Sequence, residues 1–301
     1  MSSFSDPQFL MPPVADRLGP FPHSDFLDTV WNHTAGPTDE LWIVSDERGL
    51  VPLSVVGHTI RFVGSADLVD YRSPLGEGTA DLIAGAIGSR PKGLRIVADS
   101  LPRPAADVVV KGLAAAGLEA SVEEHSLAAV LQLPDTFEEY LERLGKKERH
   151  ETRRKRRRYE AELGEVRFTR ESLPGPLFDE FVTFHRQSPG DKGGFMTDEM
   201  VAYFRDLLEL DGWGIDALVD DTDAMVAGGF GYQAQDAYFL YNSTFDPARG
   251  DLSPGVVLIS GLIDIAIDNG ATVFDFLKGD ENYKFRLGAE PRPLYIVTAM
   301  T

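Results

Sequence analysis

"YFLYNSTFDPARGDLSPGVVLISGLIDIAIDNGATVFDFLKGDENYKFRLG", residues 238–288, decides the fold. Its aromatic-rich opening is the end of a strand. A turn follows, and then a helix over 253–270, with Ser253 and Pro254 suited to its start and Asn269-Gly270 to its stop. "TVFDFL" (272–277) is a second, buried strand. Strand, helix and strand in direct succession are the grammar of an open α/β sheet, where ligands bind beyond the carboxyl ends of the strands. Free N–H groups and the dipole of a helix start favour an anion there, although three residues alone fit an ordinary capped helix equally well. After the second strand come Lys278, Asp280, Glu281, Tyr283 and Lys284 within seven residues. They form an acid/base-capable cluster where a ligand is expected; the plainer alternative is a solvated polar loop.

Outward from this stretch, "GIDALVDDTDAMVAGGFGYQAQDAYFLYNSTFD" (214–246) predicts three strands joined by "DDTD" and "QAQD" turns. "GGFG" (228–231) lies in a strand and marks a bulge or close packing. Helices are expected at 135–145, capped by Asp135 with Glu138 at the capping-box position, and at about 176–187 and 198–210. "PLYIVTAM" (293–300) is a last strand that could pair in either half. The first half has the same order. A lead-in to about Pro22 precedes a helix at 23–35, three short strands over 40–64, a helix at 78–90 and a strand at 94–99. A helix at 103–120, closed by Gly117, and two further strands ending at 128–134 complete it. The repeat is one of pattern, not of letters. The expected class is α/β with mixed sheets, in two lobes, 1–134 and 135–301.

Composition bounds the chemistry. The 301 residues carry 29 Lys+Arg against 48 Asp+Glu, a net charge of −19, and no cysteine. Disulfides, thiolate nucleophiles and Cys-ligated metal are excluded. The six histidines have no metal-ligand spacing, so no metal is expected. No Walker A run or Gly-x-Ser-x-Gly elbow occurs. No apolar run is long enough to span a membrane and no secretory signal opens the chain, which points to a cytoplasmic protein without membrane insertion. The acidic balance opposes DNA binding. Oligomeric state leaves no trace in the sequence.

One block runs against that balance. Residues 146–158 of "KKERHETRRKRRRYE" hold nine basic and two acidic side chains, +7, which leaves −26 for the rest of the chain. As a helix, its six consecutive cations from Arg153 to Arg158 surround the whole axis. No single-faced nucleic-acid surface uses them all. Pairing with the chain's own carboxylates is the plain reading of any one arginine. The functional reading sets one face, Arg149, Arg153 and Arg157, against donor phosphate, for which the guanidinium fork is suited.

The order strand, "FDP…SPG", helix, "FDFLKGDENYK" resembles the GNAT acyltransferase superfamily. Within it, the chain resembles the CelD-like or Acetyltransf_6 branch, related to the FemABX peptidoglycan aminoacyltransferases. The likeness covers about 130–290 and includes a "K-x-R-x-x-x-R-R" helix, matched by Lys147, Arg149, Arg153 and Arg154, and a Leu-His-Arg element, resembled by "FVTFHRQ" (181–187). The loop "SPGDKGGF" (188–195) departs from the commoner Trp- and Arg-containing form. The resemblance implies tandem GNAT-like lobes and direct attack of an amine on a thioester or aminoacyl ester. It implies that Ser253, Pro254 and Gly255 receive donor phosphates, with Arg149 and Arg153 beside them. The Tyr241–Ser243 edge would offer N–H groups to the acyl carbonyl. Asp280 or Glu281 would be the base, Tyr283 the acid and Lys284 an electrostatic clamp; His185, Arg186 and Lys278 would meet the acceptor. The expected activity is acyl-CoA-dependent N-acylation, with acetyl-CoA the simplest donor, of a small molecule, amino sugar or peptide amine. An aminoacyl-tRNA-dependent transferase and a non-catalytic partner in polysaccharide or envelope synthesis are the alternatives.

Overall fold

The computed structural model describes residues 18–301; the expected lead-in lies outside the described residues up to position 17. Contacts divide the chain into two units, one of residues up to 128 with 292–301, the other of 129–291.

The first unit contains α1 (Ser24–Thr34), a meander of β1 (Glu40–Asp46), β2 (Gly49–Val56) and β3 (Thr59–Phe62), then α2 (Thr79–Gly88), β4 (Arg95–Leu101), α3 (Arg103–Ala115) and the start of β5 (Ser121–Gln132). β2 is apolar but for Ser54 and buries six of its eight residues, as a strand covered on both faces does. β1, β2 and β3 pair antiparallel, while β3 pairs parallel with β4 across α2. Val51, Leu53, Ile60, Ile96 and Ala98 on the strands meet Ile83, Val109 and Leu113 of α2 and α3 in one apolar core.

The second unit runs α4 (Phe137–Arg143), α5 (Lys146–Leu163), β6 (Arg167–Glu171), α6 (Pro176–Arg186), α7 (Asp191–Phe195), α8 (Asp198–Leu208), β7 (Trp213–Val219), β8 (Met225–Gln233) and β9 (Ala237–Phe245). A 3-10 turn (Pro247–Leu252), α9 (Pro254–Asp268), β10 (Val273–Lys278) and α10 (Asn282–Arg286) close it, and β11 (Glu290–Met300) follows. β6 to β9 form an antiparallel meander and β9 pairs parallel with β10. Meander, helix and parallel strand thus occur in both units, as the repeated pattern predicts. α9 is apolar on most sides and buries Val257, Leu258, Ile259, Leu262, Ile263, Ala266 and Ile267.

Several elements differ from expectation. The two strands expected after α3 are one twelve-residue strand, β5. The last strand, β11, pairs antiparallel with β4 and counts with the first unit from Arg292 onward, so a division at Pro134 misplaces it. The cap of α4 is Thr136, whose hydroxyl accepts from Glu139 N at 3.2 Å, rather than Asp135. β6, α7 and α10 are too short and polar to show a period.

Candidate active site

The pairing of β9 with β10 is three residue pairs long, Ala237–Val273, Tyr238–Phe274 and Phe239–Asp275. Beyond them the strands run on to Phe245 and Lys278 with no pairing between them. Two strands that part leave backbone groups turned toward the gap. At the same level β9 carries a bulge: Phe230 faces Asn242 and Gly231 faces Leu240, so Tyr241 is the extra residue. Ser253 stands before α9 in the left-handed region, at φ 57°, and its carbonyl accepts from Val256 N at 3.0 Å. Leu277, near the end of β10, is also left-handed, at φ 60°. Such strained residues gather at functional sites. A side chain at Gly255 would meet only Phe245, at 3.6 Å.

The bulge turns two successive side chains to one face. Tyr241 lies among Phe204, Trp213 and Phe230, and its hydroxyl is 3.0 Å from that of Tyr203. Asn242 Oδ1 accepts from Nε2 of His185, at 3.2 Å, from the last turn of α6. His185 is 1% exposed, lies against Phe181 and Phe195, and its Nδ1 has no hydrogen-bond partner. Burial, then the Lys192 ammonium, push its pKa down to about 4 against the pull of Asn242, so the ring is neutral near pH 7. Ser243 is half-buried.

At the end of β10, Lys284 on α10 is 3% exposed. Its Nζ donates to the Lys278 carbonyl at 2.7 Å and pairs with Glu281 at 2.9 Å. Gly279 between them has φ 121°, and a side chain there would fall 2.2 Å from the Glu281 carboxylate. Lys284 therefore ties the 278–284 turn together. Asp280 is exposed, and no described residue pairs with it. Tyr283, 36% exposed, packs edge-on to Phe276, and burial followed by Glu281 pushes its pKa up to about 12. Lys284→Met is expected to cost about 2 kcal/mol, because a charge-assisted hydrogen bond is lost and the Lys278 carbonyl loses a partner. Urea unfolding measures this; an unchanged midpoint would mean the turn holds without the ammonium.

The basic helix is largely paired within the chain. Arg149 donates to the Glu142 carbonyl at 3.3 Å, and Arg153 pairs with Glu138. Arg154 meets Glu151 at 2.7 Å, Arg156 meets Glu160 and Asp264, and Arg158 meets Asp251. The helix is anchored by the buried Thr152 and Tyr159, the latter donating to the Val219 carbonyl at 3.0 Å. Arg186, expected at the acceptor, donates to the Met196 carbonyl at 2.9 Å and pairs with Asp198 at 2.6 Å, which fastens the 187–197 loop to α6. Sequence reading missed Asn242 and Lys192. Asn242 stands out only once the bulge is known. Lys192 belongs to the divergent loop, and its ammonium acts on both His185 and Glu281. Among the described residues no group of acids and histidines could hold a metal ion, and no helix is long and apolar enough to cross a membrane.

No curated protein matches the sequence. Several solved structures share the fold. FemX is 12% identical, with a TM-score of 0.62 over 95% of this chain and 92% of that one. L-PGS from Bacillus licheniformis is 15% identical, with a TM-score of 0.57 over 94% and 93%. A conserved Bacteroides thetaiotaomicron protein of unknown function is 12% identical, with a TM-score of 0.63 over 98% and 95%. The sequence pattern of the Acetyltransf_6 family, described as an acetyltransferase (GNAT) domain, matches residues 146–285. That span runs from the start of the basic helix through the parted strands to α10, so the similarity to the GNAT acetyltransferase domain takes in the whole candidate site.

Proposed function

We propose that the second unit transfers an acyl group from acyl-CoA to an amine. The observation that carries this reading is the parting of β9 from β10 beside the bulge at Tyr241 and the start of α9. An extended thioester can lie between parted strands, with its carbonyl toward the N–H groups at the bulge and its phosphates toward residues 253–255. The amine nitrogen attacks the acyl carbon, the C–S bond breaks, and the sulfur leaves as a thiolate. One proton must leave the amine and one must reach the thiolate or be compensated there. Asp280 is the better-placed acceptor, since Lys284 engages Glu281. Tyr283, with a pKa of about 12, stays protonated and steadies the thiolate by hydrogen bonding rather than by giving up its proton. Lys284 shapes this turn and does not meet the donor. The fold shared with FemX and L-PGS keeps an aminoacyl-tRNA donor as the second reading.

The test is thermal shift and calorimetry with acetyl-CoA, longer acyl-CoAs and free CoA, on wild type and Gly255→Trp. A ligand that binds only the native state raises its stability. Wild type is expected to show a shift, and the variant to bind at least about tenfold more weakly, or about 1.4 kcal/mol. A Cβ at Gly255 makes no more than an ordinary contact with Phe245, at 3.6 Å, so the backbone there accepts a side chain. No shift with any CoA would overturn this reading and bring charged tRNA forward.

A further inference from the structure

α10 has two sides. On one, Lys284 is buried and Tyr283 packs on Phe276. On the other, Asn282, Phe285 and Arg286 line a groove of about 550 Å³, whose second wall is Arg143, Leu144 and Glu148 at the corner between α4 and α5. The two walls are pinned to each other. The Tyr140 hydroxyl of α4 donates to the Leu287 carbonyl, just past α10, at 3.0 Å. Gly288, at φ 91°, comes so close to α4 that a side chain there would fall 3.1 Å from Leu144. A groove held in this way is formed before any ligand arrives, as small-molecule sites usually are.

Its charges are not balanced from within. Arg143 and Arg286 are exposed, and among the described residues neither has a carboxylate or carbonyl partner. Further along α5, by contrast, Arg153, Arg154, Arg156 and Arg158 each meet a carboxylate. Glu148 is the one carboxylate among the lining residues. It lies back over Gly145, where a side chain would fall 2.8 Å from its Oε2, beside a helix start that favours negative charge. Lys155 adds a cation on the α5 face that carries Glu148, Thr152 and Tyr159, and burial, then Arg286, push its pKa down. One unpaired surface arginine is ordinary. Two that come from separate elements and face one groove, in a chain with 48 acidic residues, leave a positive site that the chain's own carboxylates do not fill. The remaining lining is suited to an organic group: Leu144 and Phe285 are apolar, and the Asn282 amide both donates and accepts.

We propose that the groove between the α4–α5 corner and α10 binds a phosphate monoester of a small organic molecule, its oxygens between Arg143 and Arg286 and its organic part against Leu144 and Phe285. A phosphate monoester carries close to two negative charges at neutral pH, which two guanidiniums match, and each guanidinium edge can donate to two of its oxygens. The site shares no residue with those assigned to acyl transfer and does not depend on that reading.

The experiment is calorimetric titration at about pH 7.5 and constant ionic strength, where a phosphate monoester is mostly dianionic. Phenyl phosphate is the probe, and benzoate is the same ring with a single charge. Wild type is expected to bind phenyl phosphate at one site with a Kd below about 1 mM, and benzoate at least about tenfold more weakly. Arg143→Gln and Arg286→Gln should each weaken phenyl phosphate at least about tenfold. Both side chains are exposed and unpartnered, so these variants are expected to fold as wild type does. Lys111→Gln, an exposed cation on α3, removes the same charge elsewhere and should leave the affinity within about twofold of wild type. No heat with phenyl phosphate, equal affinity in wild type and both arginine variants, or an equal loss in Lys111→Gln would overturn the proposal. Benzoate binding as tightly as phenyl phosphate would overturn the assignment to phosphate. Binding that Gly255→Trp weakens and the arginine variants do not would place the phosphate at the start of α9 and overturn it as well.

Discussion

Asp216→Ala is expected to destabilise the protein by about 3 kcal/mol, because it removes the partner of a half-buried cation and of a buried phenol. Asp216 on β7 is 7% exposed and stands at the centre of a polar chain that crosses four strands. From β6, directly across the ladder, Arg170 pairs with its Oδ2. From β9, two strands away, the Tyr238 hydroxyl donates to the same oxygen at 2.6 Å. Removing the carboxylate leaves Arg170 with the Gly212 carbonyl at 2.9 Å and takes away the acceptor of the Tyr238 hydroxyl. The Arg170 side chain is 25% exposed, so water offsets part of the loss and the low end of the range for a broken buried pair applies. Chemical denaturation measures the change. Asp216→Asn, which keeps an acceptor for the phenol, should cost less. A loss under about 1 kcal/mol for Asp216→Ala would mean that water solvates Arg170 as well as the carboxylate does.

The same chain explains a motif whose meaning the sequence does not disclose. "GGFG" predicts a bulge or close packing, and both are present. The register shifts between Phe230 and Gly231, and a side chain at Gly231 would lie 2.2 Å from the Tyr238 hydroxyl. One at Gly214, the cross-strand partner of Gly231, would lie 2.6 Å from the Arg170 guanidinium. These glycines clear a track over the sheet for a phenol and a guanidinium that arrive from opposite sides. A reader of the letters sees the small residues but not what lies over them, because Tyr238 and Arg170 are placed by strand order rather than by spacing.

The candidate site is legible to the same degree. The strand, the helix start at Pro254 and the charged turn after β10 follow from local pattern, since Pro, Gly and a buried apolar run each act within a few residues. The parting of β9 from β10 and the orientation of Lys284 depend on long-range register and on the left-handed Leu277 and Gly279. The basic helix shows the limit from the other side. Its composition fits phosphate, but its arginines find Glu138, Glu151, Glu160, Asp251 and Asp264, two of which lie about a hundred residues away.

A second large effect is expected from pH. His185 has a folded pKa of about 4, and an unfolded histidine titrates near about 6.5. The unfolded chain therefore binds this proton at a pH where the native chain refuses it, and stability falls as pH falls. The contribution is complete above about pH 6.5 and is lost progressively as pH falls to about 4, a total loss of about 3 kcal/mol. The cause is physical confinement. The ring is enclosed by Phe181 and Phe195 and the Lys192 ammonium acts on it, which together outweigh the pull of Asn242 and nearby backbone toward the charged form. Carboxylates that titrate in the same interval also move the curve, so the measurement is a difference. Urea unfolding of wild type and His185→Gln at pH 7 and at pH 4.5 removes what the two share. Glutamine can still donate to Asn242 and carries no titratable proton. Wild type is expected to lose about 2 to 3 kcal/mol more than the variant across that interval. Equal losses would show that the protonated ring finds water or an acceptor in the native state, and that the neutral, enclosed His185 beside the bulge is not how the protein holds it.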